Sequence, residues 1–500
     1  VTRIVAEAVV DAETAARILR PRTGFVLEAT VDDGVFEAAE GPVHDYRRHV
    51  VVEPQPDGRR RVHQVVEYRL AVPYFAFLFA PGVRRQLGAL AEPPGTRWWA
   101  PPQRLDSRAA MALGALCALS WIVGYMGTIL TQTITFAADE FEAGKAAQGL
   151  ALAVVRADVV LTVVLVALAD RRGRRRVLLV TTTAACVLSA VCALAPSLAW
   201  LAVGQVVARG FVTAGVVIVA IAVVEEMPAG ARAYGISLLA LAAGGGAGLC
   251  VLLLRVCDLA EWAWRLLFVV PLLAVPLVRH VGRRLPESRR FRAPHPGARL
   301  AGHGRRFWLL AASGFLLNLF VAPASQFQNE FLRDERGFSG GRISLFTVLT
   351  GTPGLIGVIA GGRLAERGRR LVGAVAVVVG VGATVLVYLT TGWPLWAWST
   401  IGSIVGAATV PALGVYGPEL FPTALRGRAN GVITGLARVG SVVGLRVAGA
   451  LSNRSDRLGP AMALLALGPA LLAVLVLVAY PETAHRELEE LNPEDAISST

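Results

Sequence analysis

Two charged strings, Leu168-Ala169-Asp170-Arg171-Arg172-Gly173-Arg174-Arg175 and Leu364-Ala365-Glu366-Arg367-Gly368-Arg369-Arg370, stand 196 residues apart, each between two long apolar runs. A second pair keeps nearly the same offset: Pro286-Glu287-Ser288 and Pro481-Glu482-Thr483 close apolar runs 195 residues apart. Two unrelated landmarks sharing one spacing imply a duplicated unit of that length. Duplicated helical halves with a binding site between them are a recurrent plan in membranes.

At 54% hydrophobic and 17% charged, the 500-residue chain is too apolar for an ordinary soluble fold. Residues 1–108 are polar and mixed, whereas 109–481 consist of apolar runs broken by short charged turns. The runs are about 20 residues long, the length a helix needs to cross the hydrocarbon layer. Lipid leaves no backbone group unpaired, and alternating polarity is absent, so the runs are read as helices rather than barrel strands. The expected class is an all-α polytopic membrane protein with a small α+β N-terminal domain.

Twelve spans are expected, numbered in order, at 110–136, 148–169, 177–195, 198–223, 233–255, 264–282, 307–331, 343–362, 371–391, 394–416, 429–451 and 460–480. The turns after even-numbered spans hold 21 arginines, and the odd-numbered turns carry Asp139, Glu140, Glu142, Asp258, Glu261, Asp334, Glu335 and Asp456. The positive-inside rule then puts the arginine-rich turns, and with them both termini, in the cytoplasm of a plasma-membrane protein. No signal peptide is read ahead of the soluble segment, in keeping with that orientation. The net charge of +13 resides in these turns rather than on one soluble face, so no nucleic-acid partner is expected. The five cysteines lack metal-ligand spacing and read as small buried hydrophobes.

The domains are expected at 1–108 (cytoplasmic), 109–282 (six helices), 283–306 (basic cytoplasmic linker), 307–481 (six helices) and 482–500 (cytoplasmic tail). Within the first, Asp11 to Leu19 reads as a short helix, Val43 to Glu53 and Arg60 to Val72 as strands about a Pro-Asp-Gly turn, and Pro73 to Leu87 as an amphipathic helix. This segment loosely resembles a shortened START-like helix-grip domain, which implies a hydrophobic ligand; an α+β appendage without ligand is the alternative.

The string Asp170-Arg171-x-Gly173-Arg174-Arg175 and its copy with Glu366, Arg367, Gly368 and Arg369 resemble the signature turns of the major facilitator superfamily. Glu226 with Arg232, and Glu419 to Arg426, fill the turns after spans 4 and 10, with Arg232 and Arg426 194 residues apart. With the two Pro-Glu-(Ser/Thr) strings, these are similar to the sugar-porter and metabolite:proton symporter branches. The resemblance implies a cytoplasmic gate made of these residues. The physics suits one: an acid ends a helix beside cations, glycine permits a tight turn, and arginines pair with acids of the other half.

Polarity outlines a candidate cavity. Span 1 carries Trp121, Tyr125, Thr128 and Gln132 on one helical face, span 4 Gln205 and Arg209, span 7 Asn318, Ser325 and Asn329, and span 10 Trp396 and Thr400. A charge at mid-membrane costs about 2.5–3.5 kcal/mol or more unless paired or wet, which singles out Arg156, Asp158, Arg209 and Arg438. Asp158 is the candidate proton carrier, with Arg209 as its cavity partner; neutralising a nearby arginine is the alternative. Arg156 and Asp158, two positions apart, are expected to point about 200° away from each other. Span 1 lacks the acid many proton symporters carry, and span 7 lacks the glutamine pair with which sugar porters bind hexose.

The expected function is secondary active transport of a small organic solute by alternating access, coupled to protons, by a monomer whose partners are the bilayer, the solute and the proton. Drug or metabolite efflux by proton antiport is an alternative, and a membrane sensor with a ligand-binding N-terminal domain is one of another class. No catalytic residue, cofactor or metal is expected. HExxH and phosphate-loop strings are absent, so the chain is not read as an enzyme.

Overall fold

The computed structural model describes residues 1–92, 97–292, 300–455 and 457–496. Of the expected features, part of the basic linker with Arg299, the acid Asp456 and the last four residues of the tail lie outside the described residues.

Five antiparallel strands form the N-terminal sheet: β1 (Thr2–Val10), β2 (Leu27–Asp32), β3 (Val35–Glu40), β4 (Val43–Pro54) and β5 (Arg60–Leu70), in the order β1-β5-β4-β3-β2. Sequence reading finds only the β4–β5 hairpin, because its long alternating arms flank a glycine at φ +78°. One face of the sheet is covered by α1 (Ala12–Ile18) and α2 (Ala76–Gly88), with Val43, Val66, Tyr68, Val83 and Leu87 in the core. A polar knot interrupts this core. Arg48 donates to Glu28 at 2.6 Å, and Tyr46 and Arg22 join them, so buried charge is paired rather than stranded. Burial first, then the neighbouring Glu28 charge, pushes the Tyr46 hydroxyl well above its ordinary pKa.

Among the described residues, twelve helices long and apolar enough to cross a membrane follow, from Ser107–Glu140 to Leu458–Ala479. Each overlaps one expected span, and most are longer than expected. The ends extend because the flanking charges, such as Arg174, Arg232 and Glu226, lie in the helices themselves rather than in loops. In each half the first helix packs against the fifth through small residues. Gly440 and Gly444 of span 11 lie against the backbone of span 7 at Phe315 and Leu319. In span 5 the contact belongs to Gly246, which lies against Trp121, while Gly244 and Gly248 face open space.

Span 2 is broken at Arg156. Its segments Lys145–Val155 and Asp158–Arg172 are joined by a tighter turn, with Arg156 N–H bonded to Ala153 O at 3.1 Å and Ala157 N–H to Val154 O at 3.0 Å. The 200° separation that a regular helix imposes on Arg156 and Asp158 therefore does not apply.

Candidate functional site

The arginine-rich end of the bundle holds two matching ion-pair chains. In the first, Asp170 at the end of span 2 pairs with Arg174 at 2.6 Å, Arg174 reaches Glu225 at the end of span 4 at 3.4 Å, and Glu225 receives Arg426 of span 11 at 2.5 Å. In the second, Glu366 pairs with Arg369 at 3.0 Å, Arg369 also holds Glu419 at the end of span 10, and Glu419 receives Arg232 of span 5 at 3.3 Å. Each chain ends on an arginine from the opposite half. All eight side chains are almost wholly buried.

The same acids cap helices across the divide. Asp170 accepts hydrogen bonds from the N–H groups of Gly427 at 2.9 Å and Arg428 at 2.8 Å, in the first turn of span 11. Glu366 accepts from Ala233 N–H, in the first turn of span 5, at 2.5 Å. Free N–H groups and the helix dipole make these positions favourable for carboxylates. The two Pro-Glu strings act likewise within their own halves: Glu287 accepts from Arg175 N–H at 3.0 Å, and Glu482 from Arg369 N–H at 3.2 Å.

The C-terminal segment crosses this end. Asp495 accepts from Thr423 N–H at 3.0 Å, Asn492 donates to Glu419 O at 2.7 Å, and Arg232 donates to Arg486 O at 2.8 Å, so the segment touches both halves. Burial pushes the Glu489 carboxyl up, but its hydrogen bond and charge interaction with Arg290 outweigh this and hold it below the ordinary range.

Among residues singled out in the sequence, Arg171 and Arg367 are exposed. Gly173 adopts φ +99° with Glu287 packed against it, whereas Gly368 is extended at φ 173°. Glu226 is also buried but pairs with Arg108 at 3.4 Å and with Arg289 rather than with the opposite half. The cross-half acid is its neighbour Glu225, which sequence reading missed. A signal was present, because Glu225 precedes Glu419 by 194 residues, the offset of Arg232 and Arg426.

At mid-membrane a second charged group forms between the halves. Asp158 is fully buried, accepts from the Thr213 hydroxyl at 2.8 Å and pairs with Arg438 of span 11 at 3.4 Å. Arg156 and Arg209 lie within electrostatic range of the same carboxylate, and Arg209 also donates to Gly127 O at 3.1 Å. Its second oxygen, Oδ1, has no hydrogen-bond partner.

The expected polar stripes divide. Trp121 lies against span 5 and the Phe75 ring, Tyr125 donates to Leu267 O of span 6, and Gln205 is buried beside Cys192 of span 3, so all three serve their own half. Span 1 is enclosed on most sides, and a polar face on such a helix does not identify the side facing the centre. Thr128 bonds to Gly124 O in its own helix, while Gln132 is partly exposed. In the second half Asn318 accepts from the Ser441 hydroxyl of span 11 at 3.3 Å, Trp396 meets Phe346 edge to face and its carbonyl accepts the Thr400 hydroxyl, and Ser325 and Asn329 are exposed.

A model of the Major Facilitator Superfamily matches residues 116–330 and 308–498. Among solved structures, the human organic anion transporter MFSD10 (TETRAN) aligns with a TM-score of 0.59 at 15% identity, over 74% of this chain and 99% of that one. The proton:xylose symporter XylE, bound to 6-bromo-6-deoxy-D-glucose, aligns at 0.62 and 16% identity, over 77% and 99%. The E. coli fucose:proton symporter FucP aligns at 0.60 and 14% identity, over 74% and 98%. No curated protein sequence matches the chain. The structural likeness is one of fold, and the family match extends over both six-helix halves: this chain belongs to the Major Facilitator Superfamily.

Proposed function

We propose that the protein is a secondary active transporter that moves a small organic anion across the membrane by alternating access. The observation that carries this reading is the pair of matching ion-pair chains, both at the arginine-rich end of the bundle and each completed by an arginine from the opposite half. Buried ion pairs are costly to form and costlier to break singly, so a set shared between halves favours two discrete states, joined or parted. In the joined state the arginine-rich, cytoplasmic end is shut, and solute enters from the other side.

The solute class follows from the charges at the centre. Three arginines surround one carboxylate, and uncompensated positive charge in a membrane is stabilised by water or by an anion. A carboxylate or phosphate group can take bidentate hydrogen bonds from arginine. Asp158 supplies the coupling: proton uptake weakens its hold on Arg438 and frees that arginine for the solute.

Reconstituted protein tests both parts. Carboxylates and phosphate esters should raise its melting temperature while neutral sugars do not, and Arg209→Gln should abolish the shift. Stabilisation by neutral solutes alone would exclude an anionic substrate while leaving transport in place. Asp158→Asn should eliminate proton-driven flux and retain counterflow; unchanged proton-driven flux would remove Asp158 from the coupling step.

A further inference from the structure

A cavity of about 760 Å³ lies where the N-terminal domain meets spans 1, 5 and 8. Its walls are mainly apolar and come from separate parts of the chain: Phe79 of α2, Trp99 of the following segment, Leu113 of span 1, Leu241 of span 5 and Ile359 of span 8. Its size falls within the range of about 300–1,000 Å³ usual for small-molecule sites. It is separate from the mid-membrane arginines.

Two features define what would occupy it. Gln86 of α2 lines the cavity, is 7% exposed, and its Oε1 is buried without a hydrogen-bond partner. An unpaired acceptor in an apolar wall is unfavourable until a donor reaches it. Arg85 and Arg97 also line the cavity, both are exposed, and no acidic side chain accompanies them in the lining. An apolar body, one hydrogen-bond donor and a negative charge would satisfy all three.

We propose that this cavity binds an acyl-chain amphiphile carrying an anionic, hydrogen-bond-donating headgroup. The chain fills the space against spans 1 and 5, a headgroup donor meets Gln86, and the negative charge faces Arg85 and Arg97. The lining segment also spans the two halves. Tyr234 of span 5 donates to Trp99 O at 2.9 Å, and Arg363 of span 8 donates to Arg97 O at 2.6 Å. An occupant therefore contacts both halves at the end where the ion-pair chains join them. Occupancy favours the closed form of that end.

Photo-crosslinking of the full-length protein in nanodiscs tests the site. The probes carry a diazirine on the acyl chain: phosphatidylglycerol, phosphatidylcholine (uncharged overall and without a headgroup donor) and palmitic acid. Phosphatidylglycerol should label peptides within 75–121 and 234–242, and unlabelled phosphatidylglycerol should compete. Leu241→Trp, which fills the cavity, should reduce that labelling about tenfold, equal to about 1.4 kcal/mol of binding. Gln86→Leu should weaken labelling by phosphatidylglycerol about threefold to tenfold, the value of one hydrogen bond, and leave phosphatidylcholine unchanged. Labelling by palmitic acid in preference to phosphatidylglycerol would overturn the headgroup assignment, because an ionised carboxylate donates no hydrogen bond to Gln86. Equal labelling by phosphatidylcholine, or labelling unaffected by both substitutions, would overturn the proposal. A parent-like gel-filtration profile and helical circular-dichroism spectrum for Leu241→Trp would show that failed labelling is not failed folding.

Discussion

Asp170 of the first half accepts a hydrogen bond from the backbone N–H of Gly427 in the second, at 2.9 Å. One carboxylate thus ends span 2, holds Arg174 and caps span 11. Its counterpart Glu366 ends span 8, holds Arg369 and caps span 5. Helix capping, usually local, here links two separately packed halves.

Removing the charge at Asp170 should loosen that link. A charged cap contributes about 0.5–2 kcal/mol, so Asp170→Asn should shift the closed-to-open ratio by roughly twofold to thirtyfold toward open. Spin labels on the exposed positions Arg172→Cys and Arg367→Cys, at the ends of spans 2 and 8, report this as a population of longer distances. A distribution identical to that of the parent would count against the cap.

Glu225 and Glu226 are adjacent in sequence and opposite in consequence. Glu225→Gln leaves Arg174 and Arg426 buried without their shared anion, which should cost about 3–5 kcal/mol and abolish flux. Glu226→Gln also neutralises a buried carboxylate, but its partners Arg108 and Arg289 reach solvent and belong to its own half, so it should cost less than Glu225→Gln and leave the link between the halves in place. Thermal stability and flux measured on both variants check the contrast, and equal losses would refute it.

The two signature glycines should also differ. Gly173→Ala must place a side chain at φ +99° and against Glu287, so it should impair flux and lower the melting temperature. Gly368→Ala meets extended backbone and only an ordinary contact with the Glu482 carboxylate at 4.0 Å, and should behave as the parent does. Flux assays on the pair decide this.

Burial holds the Glu366 carboxyl above the ordinary carboxylate range, against the opposing pull of Arg369, with Glu419 adding to the rise. Opening hydrates the group and returns it toward its ordinary value. The raised group therefore favours the closed form below its ordinary pKa, and this contribution is lost as pH rises through the raised value. Acidification across that interval should increase the closed population in the same spin-label measurement. Glu366→Gln should weaken the dependence without abolishing it, because Asp170 is a second buried carboxyl at the same junction.

Much of this architecture was legible in the chain. The length and apolarity of the runs set the number of spans, and the repeated offset set their division into halves. The same offset aligned Asp170 with Glu366, and Arg232 with Arg426, before any coordinate. The sheet was half legible: β4 and β5 alternate over long arms, while β1, β2 and β3 are short or more weakly patterned.

Local pattern could not resolve which of two adjacent glutamates meets the opposite half. Glu225 and Glu226 have the same composition and charge, and only the position of Arg426 from the other half separates them. It was equally blind to the direction of the span 1 stripe, where Trp121 and Tyr125 serve spans 5 and 6. Nor did it show that a tight turn at Arg156 disrupts the helical phase before Asp158. Span count, helix length and repeat are properties of consecutive residues, because the bilayer constrains each segment separately. Which charges meet, and which cavity forms beneath the N-terminal domain, depends on segments far apart in the chain, and packing alone decides them.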